Sequence, residues 1–358
     1  MKKILYFVLI LLVMCVLSGC EEKITKIGLL LYTDGDSTVQ EITKQIQKNI
    51  NQNYELVIYN AEKSQIKQNE QFNSLLEEDV NLIIVNLVDR LAAKAYVEKC
   101  KRKDIGIIFF NREPLKEDLS TYEKAYYVGS DGEKIGIYQA EIIKNMFRNP
   151  DSMRPNYDLN HNNVIELIIL KGEQNHQLSE TIFEKCIENL TEVRFETDIL
   201  ATEYAEWNRE TAKEKMAEIY NDPKFKNVDG TSKIELVISN DDQMSLGIID
   251  FIFENNLQLE RNGEYIMPFE IVGANINSES HRRINDNYIY GSITNETSLQ
   301  AQIILDLIEN LLNDSKLIFN YEECIEPSIE GSELNDTKYC KEDNFIFVSG
   351  EIVYAKNA

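Results

Sequence analysis

The stretch YDLNHNNVIEL (157–167) sets oxygen-bearing side chains at alternate positions: Asp158, Asn160, Asn162 and, past Val164, Glu166. Counted from Asp158, these are steps one, three, five and nine of a calcium loop of the EF-hand kind. Step seven of such a loop contributes a backbone carbonyl, which any residue supplies, here Val164. Oxygen ligands spaced this way suit a hard divalent cation. The pattern then stops. Step six, where the sharp turn favours glycine, is Asn163. Step twelve, normally a bidentate glutamate, is Ile169, inside the apolar run VIELIIL (164–170). The residues alone leave two readings open: a polar, Asn-rich loop, or a cation site whose last ligand comes from elsewhere in the chain.

No pattern of residues points to catalysis. The histidines are His161, His176 and His281, and neither GxSxG nor HExxH accompanies them. Asp241 and Asp242 are adjacent carboxylates with no nucleophile–base motif beside them. An enzyme is not expected.

The N-terminus, MKKILYFVLILLVMCVLSGC, has two lysines, an apolar run and small residues ahead of Cys20, the layout of a secretory signal. The apolar run from Ile4 to Leu17 is shorter than the ~20 residues that a membrane span needs. Residues 1–19 are therefore expected to be cleaved. The small residues before the cysteine resemble a bacterial lipobox, which implies lipid on Cys20 and a short linker, 20–25. The mature chain would then touch the membrane only through its lipid. The formal net charge is −24, and loss of Lys2 and Lys3 makes it more negative. Such acidity argues against nucleic acid or anionic lipid as a partner. A hydrophobic content of 43% supports folded cores, and 358 residues give room for two domains. Cys100 and Cys186 occupy apolar positions of helical patterns and read as buried thiols. Cys324 and Cys340 flank a polar loop, and an exported chain permits a disulfide between them.

Short apolar runs alternate with amphipathic stretches along the chain. Strands are predicted at 26–32, 54–60, 81–86, 106–111, 125–130, 165–170, 234–240, 269–275 and 289–295. Helices are predicted at 36–51, 64–78, 90–103, 132–147, 177–191, 207–220, 242–256, 278–285 and 296–313. Continuous apolar strands between amphipathic helices predict an α/β fold with parallel sheets covered on both faces. The series divides into two doubly wound, Rossmann-like units, one before about residue 128 and one after. Ligands of such sheets bind beyond the carboxyl ends of the strands. Those ends carry Tyr32, Asn86, Asn111, Asn240, Asn275 and Asn295, which favours a polar, uncharged ligand. The loop YTDGDS (32–37) has a single glycine and is no phosphate cradle.

The segments NLVD (86–89), FFNREP (109–114), KAYYVGSD (124–131), LKGEQNH (170–176) and VISNDDQMSLG (237–247) carry a further signal. Together they resemble the periplasmic galactose/glucose-binding proteins, from about residue 26 to 355. The resemblance implies the type I periplasmic binding fold, with an N-terminal lobe of 26–129 plus 296–346 and a C-terminal lobe of 130–295 plus 347–358. Three crossings near 128–131, 293–297 and 346–349 would join them. A galactose- or glucose-like sugar would sit in the cleft, and a monomer would deliver it to an ABC transporter permease. The alternative role is a sugar-sensing receptor subunit that signals to a membrane histidine kinase or chemoreceptor.

The resemblance also supplies the missing calcium ligand as Glu235, giving a structural Ca²⁺ set of Asp158, Asn160, Asn162, the Val164 carbonyl, Glu166 and Glu235. It implies sugar contacts from Asp36, Asn111, His176, Asn295 and Trp207, the last stacking on the apolar face of a pyranose. Two further positions carry changed chemistry: Asp241 stands for the family's Asn, and Asn275 for its Asp. Thr38, Leu178 and Ile182 stand where the family has an aromatic, an acid and an arginine. These changes imply weak galactose binding. They favour a ligand with fewer hydroxyls, an apolar substituent or an amino group at that end.

Overall fold

The computed structural model describes residues 24–148, 158–160, 162, 164–174, 176–192, 196–261, 263–313 and 339–356. The expected signal peptide, Cys20 and Cys324 lie outside these residues. The first half runs β1 (Thr25–Leu31), α1 (Ser37–Asn49), β2 (Tyr54–Asn60), α2 (Gln65–Glu77), β3 (Leu82–Val85) and α3 (Ala93–Lys103). It continues with β4 (Gly106–Phe110), a short α4 (Lys116–Leu119) and β5 (Ala125–Ser130). The second half opens with α5 (Gly132–Arg148), β6 (Val164–Lys171), α6 (Gln177–Glu192), β7 (Glu196–Tyr204) and α7 (Arg209–Asn221). Then come β8 (Leu236–Ser239), α8 (Asp242–Glu254), β9 (Leu259–Arg261), β10 (Glu264–Ile266), β11 (Glu270–Val272), α9 (Ser278–Asn285) and β12 (Gly291–Ile293). The chain finishes with α10 (Thr297–Leu312), β13 (Tyr339–Glu342), β14 (Phe345–Val348) and β15 (Ile352–Tyr354).

Two large sheets result, ordered β13-β14-β5-β4-β3-β1-β2 and β15-β12-β11-β8-β6-β7, beside a two-stranded antiparallel ribbon of β9 and β10. Strands β1–β5 pair in parallel in the first sheet, as do β6, β7, β8, β11 and β12 in the second, and β13 and β15 close the edges antiparallel. The central strands β3 (LIIV) and β8 (LVIS) are buried along their whole length. Burial on both faces demands helices on both faces, and each sheet has them. In the first lobe α1 and α10 cover one face through Val39, Ile42, Ile304 and Ile308. Helices α2 and α3 cover the other through Phe72, Leu75, Tyr96 and Val97. In the second lobe α7 and α8 face α5 and α6 across the sheet in the same way. The α/β architecture of two doubly wound lobes is as expected. Among the described residues no helix is long and apolar enough to cross a membrane.

The periodicity did not mark β7, β9, β10, β13, β14 or β15. Strand β7 lies at a sheet edge with much of its length exposed, so it lacks the continuous apolar run of a central strand. The chain passes between sheets at 131, 294–296 and 349–351. The last passage falls later than expected, because Phe347 and Val348 still pair with Gly129 and Ser130 of β5. Cys100 and Cys186 are free and buried as expected, and burial pushes each thiol up to about 12.

Helices α5 and α6 meet almost backbone to backbone at Gly136. A Cβ there would stand 2.5 Å from the Ile182 carbonyl oxygen and 2.9 Å from the Cys186 nitrogen. Gly136→Val should force the pair apart and destabilise the protein by about 1–3 kcal/mol, the usual cost of overpacking. Urea unfolding measures this, and an unchanged midpoint would show that the helices are free to separate.

Candidate functional site

The two sheets turn the carboxyl ends of their strands toward one another, and a cavity of about 500 Å³ lies between the lobes. In each sheet the chain order reverses beside the first strand, β1 or β6, which is where such folds open a crevice. All seven expected ligand residues line this one cavity: Asp36, Asn111 and Asn295, with His176, Trp207, Asp241 and Asn275.

Each side chain is placed by local chemistry. Asp36 caps α1, its Oδ1 accepting from the Thr38 and Val39 amides at 2.9 and 3.0 Å. Its Oδ2 accepts from the Tyr32 hydroxyl at 2.9 Å. Asn111 turns out of β4 with φ 62°, a left-handed conformation that Asn tolerates. Its Oδ1 accepts from Asn86 Nδ2 at 3.2 Å. Asn295 lies in the second crossing, where its Nδ2 donates to Thr38 Oγ1 and its Oδ1 accepts from Gln300. Asn275 leaves β11 with φ 60° and donates from Nδ2 to Asp241 Oδ2 at 3.2 Å. The changed acid and amide of the resemblance are thus bonded to each other.

Trp207 and the preceding Glu206 both have φ 55°, a rare conformation for side chains of their size. The indole has a prepared seat: a Cβ at Gly172 would lie 2.1 Å from ring atom Cζ2, so only glycine admits the ring. The His176 ring meets the indole edge-on, with centroids 5.4 Å apart. Burial, and then the charges of Arg112 and Arg90, push His176 down to about 3, so the imidazole is neutral. Its Nδ1 is buried without a hydrogen-bond partner, as is Asn275 Oδ1. Burial holds Asp241 well above the usual carboxylate range, and the facing charges of Asp242 and Asp36 add to this.

Several residues fall elsewhere than expected. Asn86 and Asn240 are fully buried behind the cavity and, instead of lining it, brace the Phe110 carbonyl at the end of β4 and the Ser179 carbonyl in the first turn of α6. Ile182 is also fully buried, in the core between α5 and α6, so its position cannot reach the cleft; Leu178 does line it. Asp242 stands behind Asp241, receiving hydrogen bonds from Ser245 and Ser292, and burial pushes it up to about 6.

Arg112 was not singled out from sequence, although it directly follows Asn111 in FFNREP. Its guanidinium lies 3.9 Å from the Tyr32 ring centroid. It donates to the Val88 carbonyl of its own lobe at 3.0 Å and pairs with Glu173 of the other lobe at 2.6 Å. Arg90 adds a second bond across the cleft, to Gln177 at 2.9 Å. These contacts hold the lobes in a closed arrangement.

At the far end of β6, Glu235 does come to the loop that begins at Asp158. Its Oε1 accepts from the Leu159 amide at 2.5 Å and its Oε2 from the Glu166 amide at 3.3 Å. Asn160 and Asn162 both donate from Nδ2 to Glu166 Oε1. The Asn162 amide donates to Asp158 Oδ1 and Asn160 Oδ1, which folds the loop on itself. Glu166 Oε2 is buried without a partner. Burial and the adjacent Glu166 push Glu235 up to about 8. Two buried carboxylates side by side, one with an orphan oxygen, form an environment that a cation relieves. Among the described residues no three His, Cys, Asp or Glu side chains gather as a metal cluster. An ion here would therefore draw on amide and carbonyl oxygens too, which suits calcium chemistry.

The description "Periplasmic binding protein domain" matches residues 27–316. The chain belongs to the periplasmic binding protein family. It is 28% identical over 288 residues to the D-galactose/methyl-galactoside binding periplasmic protein MglB of Haemophilus influenzae, covering 80% of this chain and 81% of that one. Among solved structures, an ABC transporter solute binding protein of Bacillus halodurans with bound myo-inositol superposes with a TM-score of 0.70. The two are 17% identical, and 94% and 97% of the chains are covered. The binding protein of the arabinose ABC transporter from Shewanella sp. ANA-3 gives a TM-score of 0.70 at 14% identity, covering 93% and 92%. At these identities the structures attest the two-lobed fold itself.

Proposed function

We propose that the protein is a lipid-anchored, extracytoplasmic solute-binding protein that captures a sugar between its lobes and delivers it to an ABC importer. One observation carries this reading: the seven residues expected to touch a sugar come from separate strand ends in both lobes, yet all line one cavity. The cavity pairs an indole with amide and carboxylate groups. That combination fits a pyranose, whose C–H face is apolar and whose rim is hydroxylated. The relatives named above are described as binding galactosides, inositol or arabinose. Cys20 carries the lipid, and the mass of the chain extracted from membranes tests this. An unmodified Cys20, or residues 1–19 still attached, would exclude the anchor.

A thermal-shift screen against monosaccharides tests the main reading, because a ligand of the folded state raises the melting temperature by mass action. For the sugar that stabilises most, Trp207→Ala should weaken binding about tenfold in calorimetry. That matches the ~0.5–1.5 kcal/mol of an aromatic stacking contact. An unchanged affinity would mean that the ring is only packing. No response to any sugar would discard the reading.

A Ca²⁺ ion held by Asp158, Asn160, Asn162, the Val164 carbonyl, Glu166 and Glu235 stabilises the second lobe and takes no part in ligand chemistry. Without the ion, a folded-state value near 8 for Glu235 means that stability falls as pH rises from its ordinary value toward 8. Glu235→Gln removes that ionisation. In chelator at pH 8 this variant should melt no lower than the wild type, and in excess calcium it should melt lower. Identical melting of the wild type with and without calcium would exclude the ion.

A further inference from the structure

We infer that the solute is an amino sugar, its ammonium group held between Asp36 of one lobe and Asp241 of the other. The inference rests on the sugar-cleft reading and names the class of sugar.

The first ground is a charge imbalance in the closed cleft. Asp36 and Asp241 both line the cavity, one from the loop after β1 and the other from the end of β8. The described cations of the lining are engaged elsewhere or peripheral. Arg112 is committed to Glu173 and the Val88 carbonyl. Arg209 is gripped by Asp250 through two nitrogens and by Glu279 through a third. Lys63 is exposed at the rim, as is Glu206, which offsets it. Ile182, where the resemblance places an arginine, is shut inside the core. Two acidic side chains, one from each lobe, thus line the cavity with no described cation paired to either.

The second ground is hydrogen-bond capacity. Asp241 Oδ1 accepts from the Gln243 amide at 2.7 Å and Oδ2 from Asn275 Nδ2, which leaves acceptor sites on both oxygens. Asp36 Oδ2 accepts only from Tyr32. Asn275 Oδ1, on the same lining, is buried with no partner at all. This end of the cavity is rich in acceptors. An ammonium offers three N–H groups and a positive charge at one point, whereas a hydroxyl offers one donor and no charge.

The experiment is calorimetry on the purified protein with sugar pairs that differ only by amine for hydroxyl: D-galactosamine with D-galactose, and D-glucosamine with D-glucose. Each is repeated with Asp241→Asn, which keeps a capping residue at α8, and thermal melting checks that the variant is folded. The expected result is at least tenfold tighter binding of the amine in one pair. The variant should abolish that preference, bringing the amine-to-hydroxyl affinity ratio within the pair close to one. Equal or tighter binding of the neutral partner would overturn the amine and leave the sugar cleft standing. So would an amine preference that survives Asp241→Asn. Absence of binding by all four sugars would overturn the inference, and the wider monosaccharide screen would then decide the reading it rests on.

Discussion

The central strands beneath the cleft are buried on both faces of their sheets, and that constraint organises the site. Strands β3, β4 and β8 are buried along their whole length, and apart from Gly106 and Ser239 their residues are aliphatic or aromatic. Most polar side chains therefore begin where a strand ends and its loop reaches water. Parallel strands put all those endings on one edge of the sheet, and two lobes bring two such edges face to face. The cleft's polar lining follows from this geometry. Its positive φ values at Asn111, Asn275 and Trp207 are the turns that leave the strands and aim side chains inward.

The same constraint explains which parts were legible in the sequence. Runs such as LIIVN and IIFFN announce a buried strand and its polar end together, so the two-lobed fold and the strand-end residues Asn111, Asn275 and Asn295 could be read directly, while Asp36, His176, Trp207 and Asp241 came from the family resemblance. Whether a strand-end asparagine faces ligand or loop was not legible. Asn86 and Asn111 have the same local pattern, yet one braces a neighbouring carbonyl from full burial and the other lines the cavity. Ile182 misled in another way. It lies one helical turn beyond Leu178 on the same face of α6, so it sits farther from the cleft mouth and deeper in the interface with α5. Arg112 was hidden because its role depends on Glu173 of the other lobe, a contact that no local pattern encodes. The loop at Asp158 showed its own oxygens, but Glu235 was reached only through a family resemblance, since 69 residues separate it from Glu166.

Closure and recognition share side chains. Tyr32 donates to Asp36 and carries the Arg112 guanidinium on its face, while Arg112 reaches Glu173 across the gap. A ligand that engages Asp36 therefore touches the group that supports the cross-lobe bridge. Asn295 has a comparable position in the second crossing, tied to Thr38 of the first lobe and to Gln300, which also donates to Ser130 at the first crossing. Residues that line the cavity are thus also residues of the hinge. A ligand held by these residues would be linked by direct hydrogen bonds to the segments that join the lobes.

The central claim is that a sugar is held in this cleft by both lobes at once. A crystal structure of the protein with its best-binding monosaccharide tests that most directly. The expected result is a ring lying against the Trp207 indole, with polar groups within hydrogen-bonding distance of Asp36 and Asp241 on opposite sides. A sugar bound outside the cleft, or one that contacts a single lobe and leaves Trp207 uncovered, would contradict the account.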